Sequence, residues 1–423
     1  MSEEVIRAEL ARVAAALGAD GAAFVLERPR DAGHGDLSTN LAMVLAKAEK
    51  TNPRKLAERI LGDLALPDSV IAKTEIAGGG FINFWLAQDA LASLLKTIIE
   101  AGPKYGRLDF GAGQRVNVEF VSANPTGPLH VGHGRGAAIG DALAALFEWT
   151  GHKVSREFYI NDAGVQIEKV ILSLVVRVKQ ELGRPAEIPE GGYHGQYLVE
   201  LAQALLRERP GLASAAEAEL LAACRAAPDL IRREQEELLR DLRVVFEVWS
   251  SEQAIRDAGK VEAAVALLAK RGLTYEQDGA LFLRTTNLGD DKDRVLRKSD
   301  GSFTYFLPDI AYHIDKHERG FDRVIDVWGA DHHGYIPRVR AVLKALGYGD
   351  EYFEVALVQL VKVVKEGEEV RMSKRSGEFV TLRELLEWVG VDATRYFFLM
   401  RPGHSPFTFD VDLARKQTDE NPI

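Results

Sequence analysis

The sequence predicts an α/β protein, with a parallel-sheet domain that carries a helical insertion and follows a smaller α+β unit. Three observations predict it. Val116–Val121, the helical spacing from Ala137 to Trp149 and the run Lys153–Ile160 read as strand, helix and strand, an order that implies a parallel, right-handed βαβ unit. Gln166 to Gly272 is rich in Ala, Leu, Glu and Arg with helical period. Strand–helix alternation then resumes at Arg323–Trp328.

The first unit extends to about residue 110. Glu3 to Leu17 is helical in period and ends at Gly18. Gly33–Asn40 reads as a loop leading into a helix through Lys50. Thr51-Asn52-Pro53 begins the next helix, with Pro at the first position, where its missing N–H is no loss. Gly78-Gly79-Gly80 precedes the strand Phe81–Leu86, a further helix ends near Gly102-Pro103, and Tyr105 to Gly113 is a linker.

In the second unit the first strand and helix are joined by Ser122-Ala123-Asn124-Pro125-Thr126-Gly127-Pro128 and then His130-Val131-Gly132-His133. The insertion occupies about 166–280. Ala280–Leu283, Arg294–Arg297 and Phe303–Leu307 read as strands, the last two joined by the turn Ser299–Ser302. Arg323–Trp328 leads into the loop Gly329–Gly334 and a helix from Ile336 to Leu346. Phe353–Val364 holds one or two strands, the segment Arg371-Met372-Ser373-Lys374-Arg375-Ser376-Gly377 follows, and helices cover Thr381–Val389 and Asp392–Met400.

Composition narrows the function. A chain of 423 residues exceeds one simple core and suggests two or three domains. Hydrophobic content of 46% and charged content of 27% are ordinary for a soluble globular protein. No apolar run is long enough to span a bilayer, and Met1–Ile6 shows no basic-then-apolar signal. A single cysteine, Cys224, excludes an internal disulfide and a Cys-rich zinc site. These features fit the cytoplasm. A net charge of −10 disfavours a dedicated nucleic-acid-binding module, yet an acidic enzyme can carry a local basic stripe. Arg54, Lys55 and Arg59 read as a solvated helix face.

The chemistry sits at the first helix entrance. Free backbone N–H groups and the positive helix end favour anions there, phosphate above all. Gly132–Gly136 does not complete a dinucleotide fingerprint, because position 139 is Ile, and no P-loop sequence is present. Taken alone, His130 and His133 read as half-buried histidines on one helix face, and Arg371–Arg375 as a solvated loop. Taken together they supply what nucleotidyl transfer needs, namely donors and mobile positive charge for the oxygens of a reacting phosphate. Gly132 leaves room for a base or ribose against the backbone. Asp331-His332-His333 is not a zinc site, since adjacent residues project differently and no further His or Cys supports one. It reads as substrate-facing, at the carboxyl end of a strand. Asn161-Asp162-Ala163-Gly164 reads as a strand-to-helix turn capped by Asp162, and Tyr305–Asp309 as a strand end leading into a helix; neither excludes a functional face.

These residues resemble a known family. His130-Val131-Gly132-His133 and Arg371–Arg375 look like the HIGH and KMSKS signatures of class I aminoacyl-tRNA synthetases. Glu119 through His133 resembles the signature region of arginyl-tRNA synthetases, as do Phe158–Gln166, Tyr305–His313, Gly329–Tyr335 and Met372–Gly377. Gly35–Ala42 and Gly78–Phe84 resemble that family's N-terminal additional domain, which is believed to contact the outer corner of the tRNA. The resemblance implies a Rossmann-like sheet, and an enzyme that activates arginine with ATP to arginyl-adenylate and transfers it to the 3'-terminal adenosine of tRNA-Arg. It implies domains at 1–110 (N-terminal, tRNA-binding) and 111–415 (catalytic), with 416–423 at the threshold of an anticodon-binding domain. It implies ATP contacts from Pro128, His130, Gly132, His133, Met372, Ser373 and Lys374, with His130, His133 and Lys374 catalytic. It implies arginine contacts from Glu119, Ser122, Ala123, Asn124, His130, Tyr305 and Asp309, with Asp162, Asp331 and His332 elsewhere in the pocket. A guanidinium suits carboxylates, so Glu119 and Asp309 are its candidate partners; which of them takes it and which takes the α-ammonium stays open.

Mg²⁺ is expected to travel with ATP, with no tightly held protein metal. The expected form is a monomer with tRNA-Arg as partner. Arg371 and Arg375 depart from the KMSKS pattern but keep or add positive charge. Family members continue past the point matching Asn421-Pro422-Ile423, so impaired aminoacylation is the expectation for a chain ending there. Two other readings stay open. Another HxGH nucleotidyltransferase would form an adenylate with a different substrate. A non-catalytic relative would bind arginine or tRNA without forming an adenylate.

Overall fold

The computed structural model describes residues 2–370, 380–419 and 421–422. The chain divides into two compact units, residues 1–107 and 108–423.

The first unit contains α1 (Ser2–Ala16), β1 (Leu26–Glu27), β2 (Leu37–Thr39), α2 (Leu41–Glu49), α3 (Pro53–Asp63), β3 (Ile71–Ala77), β4 (Phe81–Leu86) and α4 (Gln88–Ala101). Its strands form an antiparallel sheet in the order β1-β2-β4-β3. Ile6, Leu10 and Val13 of α1 close one core with Leu41, Leu45, Leu56, Ile60, Ile82 and Phe84. Asn52 caps α3 by accepting from the N–H groups of Arg54 and Lys55, with Pro53 in the first turn. The polar stretch Gly33–Asn40, expected as a loop, contains strand β2. Ser38 is tolerated there because its hydroxyl donates to Asn83 Oδ1, 2.7 Å away on the paired strand.

The second unit is built on a five-stranded, all-parallel sheet. Its elements are β5 (Arg115–Glu119), α5 (Val131–Trp149), β6 (Lys153–Ile160), α6 (Val165–Glu181), α7 (Gln196–Glu208), α8 (Glu217–Cys224), α9 (Ala227–Asp241), β7 (Val248–Ser251), α10 (Glu252–Asp257), α11 (Lys260–Lys270), β8 (Thr274–Gln277), β9 (Ala280–Leu283), β10 (Arg294–Arg297), α12 (Phe306–Glu318), β11 (Arg323–Gly329), α13 (Ile336–Ala345), β12 (Phe353–Val358), β13 (Val361–Lys365), β14 (Glu368–Glu369), α14 (Leu382–Leu399), β15 (Phe407–Asp410) and α15 (Val411–Arg415). The sheet order is β12-β11-β5-β6-β7. The chain steps outward from β5 to β7, then returns to the other side of β5. The junction of β5 and β11 is therefore the switch point, where open parallel sheets bind ligands at their carboxyl ends.

Helices α6 to α9 form the insertion, with a core of their own around Val170, Leu174, Leu198, Leu205, Leu220 and Ile231. The chain re-enters the sheet as β7, inside the range assigned to the insertion from its helical composition. Four residues, Val248 to Ser251, are too short to show a period. Phe303–Leu307 is not a strand: Phe303 makes one isolated bridge to Arg297, and α12 starts at Phe306. Pro308 fits that first turn, where an N–H has no helical acceptor. The pair of helices expected over 381–400 appears as α14 with a break at Gly390, whose φ is 81°.

Candidate active site

The site forms where β5, β6 and β11 end. In register, Asp326 of β11 pairs with Glu119 of β5, and Glu119 with Glu157 of β6. Three carboxylates thus lie in one row across adjacent strands, all buried. Like charges so placed repel, and helix α12 offsets them. Lys316, fully buried, donates to Glu119 Oε2 at 2.5 Å and to Asp326 Oδ1 at 2.9 Å. Arg319 grips Glu157 through both terminal nitrogens, at 3.0 and 2.9 Å. Glu157 also accepts from Asn117, Ser250 and Tyr312. Burial alone would push each acid up. The cations of α12 reverse this and lower Glu157 and Asp326, while Glu119 stays raised by its burial despite Lys316.

Beyond the row, Asp309 on the first turn of α12 reaches the same pocket. One of its oxygens, Oδ2, is buried without a hydrogen-bond partner. Burial raises this acid too, opposed by His313 and by the nearby Tyr335 hydroxyl. A buried carboxylate oxygen left unmatched is costly unless a donor arrives.

The loop after β5 is strained. Val121 has φ 69° and Ser122 φ 43°, with the Ser122 N–H donating back to Phe120 O at 3.0 Å. This is a positive-φ γ-turn on a β-branched residue, a conformation that costs about 1–3 kcal/mol. The turn aims the Ser122 hydroxyl at Glu119 Oε1 (2.9 Å) while it accepts from the Tyr159 N–H (3.1 Å). Helices of the insertion hold the rest of the loop. Asn124 Nδ2 donates to Gln166 Oε1, Tyr197 donates to Thr126 O, and buried Gln235 donates to the carbonyls of Asn124 and Gly127. Nothing in the local sequence marked Tyr197 or Gln235, since both sit at ordinary helical positions.

His130 caps α5, which begins at Val131 rather than at Ala137. The N–H groups of Gly132 and His133 donate to His130 Nδ1 (3.1 and 3.4 Å), and the His130 N–H donates to His133 Nδ1 at 3.3 Å. The two rings stack at 3.7 Å. With Nδ1 an acceptor in both, each neutral ring carries its proton on Nε2, as a donor. A Cβ at position 132 would lie 2.9 Å from His130 Cε1, which requires glycine there. Burial, then the neighbouring His130, lowers His133 to about 3. Its ring resonances are accordingly expected to stay in the neutral form from pH 8 to pH 5 in an NMR titration. A midpoint near the ordinary histidine value of about 6.5 would contradict this geometry.

The two sequence motifs converge. Val131 N–H donates to Val380 O at 3.2 Å and Leu382 N–H to Leu129 O at 2.8 Å, a bridge centred on His130 and Thr381. Arg371, Met372, Ser373, Lys374 and Arg375 lie outside the described residues. Their flanks are fixed by this bridge and by the bond from Val370 N–H to Val363 O. Tyr305 is 76% exposed at the start of α12. Asp331 and His332 are exposed on the turn after β11, 3.7 Å apart. Asp162 does not cap α6 but accepts from the Ser251 hydroxyl and the Gln253 N–H at the start of α10, where Ser251 is the cap. Ala123 is buried under the loop, and Pro128 is exposed at its end. Among the described residues, no group of three or more His, Cys, Asp or Glu is arranged to hold a metal, and no helix is long and apolar enough to cross a membrane.

Comparison with known proteins gives one answer. Residues 2–86 match the family described as arginyl tRNA synthetase N terminal domain, and residues 95–190 and 215–395 match tRNA synthetases class I (R), catalytic domain. An arginine–tRNA ligase of Geobacillus kaustophilus is 49% identical over 425 residues, covering 100% of this chain and 76% of its own length. One from Syntrophotalea carbinolica is 51% identical over 400 residues, covering 94% of this chain and 72% of its own. A solved putative arginyl tRNA synthetase from Campylobacter jejuni has a TM-score of 0.74 at 35% identity, covering 80% of this chain and 74% of its own. The arginyl-tRNA synthetase of Thermus thermophilus shares the fold, with a TM-score of 0.70 at 22% identity over 98% of this chain and 78% of its own.

Proposed function

The chain belongs to the class I arginyl-tRNA synthetases, and on that premise we propose which residues carry the reaction. It is an arginine–tRNA ligase, joining arginine to ATP with release of pyrophosphate and then moving arginine to the terminal adenosine of tRNA.

Asp309 takes the guanidinium. The observation that carries this is its buried, unpartnered Oδ2, which a planar cation with paired N–H donors satisfies. Glu119, already accepting from Lys316 and Ser122, adds negative field and its remaining lone pairs. Ser122 acts through Glu119. Asn124, Ala123 and His130 border the amino acid, and Tyr305 covers it from the start of α12. At the entrance to α5, the Nε2–H groups of His130 and His133 face the phosphates, joined by the positive helix end. Pro128 and Gly132 flank the nucleotide. Met372, Ser373 and Lys374 complete the ATP site, Lys374 on the pyrophosphate, with Mg²⁺ entering as part of the substrate. Asp331 and His332 rim the pocket, Asp162 holds α10 in place beside it, and the N-terminal unit contacts tRNA.

Charging of tRNA with labelled arginine tests this reading. Citrulline, the neutral isostere of arginine, should be rejected by roughly 10³ or more, because it cannot satisfy the pocket's negative charge. Comparable use of citrulline would exclude Asp309 as the guanidinium partner. The grip on the loop gives a second expectation. Gln235→Leu removes both donations to the Asn124–Gly127 segment and should raise KM for arginine about tenfold, since a misplaced positioning group is costly. An unchanged KM would show that the grip serves only folding.

A further inference from the structure

His313 lies on α12 one turn after Asp309 and is 1% exposed. Its Nε2 is 3.0 Å from Asp326 Oδ2, and its Nδ1 is 2.8 Å from the main-chain oxygen of Asp309 and 3.5 Å from that residue's Oδ1. A carbonyl oxygen only accepts, so Nδ1 must carry a proton. Asp326 is kept as a carboxylate by Lys316 on its other oxygen, so Nε2 must carry one too. Of the charged groups facing the ring, the carboxylates favour this charge and Lys316 opposes it. Asp309 and Lys316 approach from α12, Asp326 from β11 and Glu119 from β5, with Tyr312 and the Phe353 ring beside it.

We propose that His313 is a buried imidazolium, a positioning residue whose charge holds Asp309 ionised and in place for the guanidinium. It rests on the assignment of the guanidinium to Asp309. Burial, and more weakly Lys316, oppose the charge on His313, but Asp309 and Asp326 together outweigh them and raise the group above the usual histidine range. In return His313 lowers Asp309, which burial pushes up.

Two measurements test it on the intact chain. Nitrogen-15 NMR of histidine-labelled protein, with His313 assigned by its loss in His313→Gln, should show both ring nitrogens protonated at pH 7. A neutral single-tautomer pattern overturns the proposal; should the variant not fold, a wild-type spectrum in which no histidine ring is doubly protonated at pH 7 overturns it equally. In kinetics, His313→Gln keeps a hydrogen-bond donor but removes the charge. The acid limb of kcat/KM for arginine should move up by about one pH unit, near tenfold at the limb, with KM for ATP unchanged. Lower thermal stability with an unmoved limb means a merely structural role and overturns it. If Asp309→Asn leaves kcat/KM for arginine unchanged, the guanidinium assignment itself falls, and the proposed role with it, even where the NMR shows an imidazolium.

Discussion

Replacing Asp309 with Asn lowers kcat/KM for arginine by roughly 10³, with KM for ATP unchanged. Truncating one partner of a buried charge pair costs about 2–5 kcal/mol, or roughly 30- to 4,000-fold at 1.4 kcal/mol per decade. The upper half of that range applies here. Asp309 carries the buried oxygen without a partner, so the arriving guanidinium gains a bond that nothing in the free protein supplies. An amide at this position presents N–H groups toward a ligand that only donates. The Glu119→Gln variant should suffer less in arginine recognition, since Lys316 and Ser122 already occupy both of its oxygens. Steady-state charging at varied arginine, with ATP saturating, checks both. Equal losses in the two variants would mean the guanidinium is shared evenly.

The second large effect falls on the chemical step. His133→Ala should lower kcat for adenylate formation by about 10²–10³, the usual loss on removing one preorganised donor to developing charge. KM for arginine should hardly change, because the histidine pair faces the phosphates and not the pocket of Asp309. The pair also caps α5, so some loss of stability accompanies the change; capping interactions are worth about 0.5–2 kcal/mol. Single-turnover measurement of adenylate separates the two effects. A variant that raises KM for arginine while keeping kcat would place His133 on the amino acid instead.

Much of this site is legible in the chain because its parts are local. Strand, turn and helix entrance follow one another from Val116 to Trp149, and the turn residues and histidines announce the anion site. Lys153–Ile160 reads as it folds, because its β-branched and aromatic residues lie between turn residues and need no distant partner to be recognised. The acidic row does not read this way. Glu119 and Asp326 each look like an isolated acid in an apolar strand and Glu157 like one more charge beside Arg156, and only the register of the three strands makes them neighbours. Lys316 lies in the last turn of α12 and Arg319 at its C-cap, where charge usually means solvent. The carboxylates that keep them buried lie elsewhere in the chain. A buried acid inside each of three strands was the available signal, and it pointed to cations that had to exist somewhere. Strand β2 was hidden for the same reason, since Ser38 looks like loop chemistry until Asn83 faces it.

The measurement that tests the account most directly is amino-acid-dependent ATP–pyrophosphate exchange in the presence of tRNA, comparing arginine with citrulline in the wild-type chain and in Asp309→Asn. Exchange is expected with arginine in the wild type and almost none with citrulline, and the arginine signal should collapse in the variant. Exchange that persists with citrulline, or survives the loss of the Asp309 charge, would contradict it.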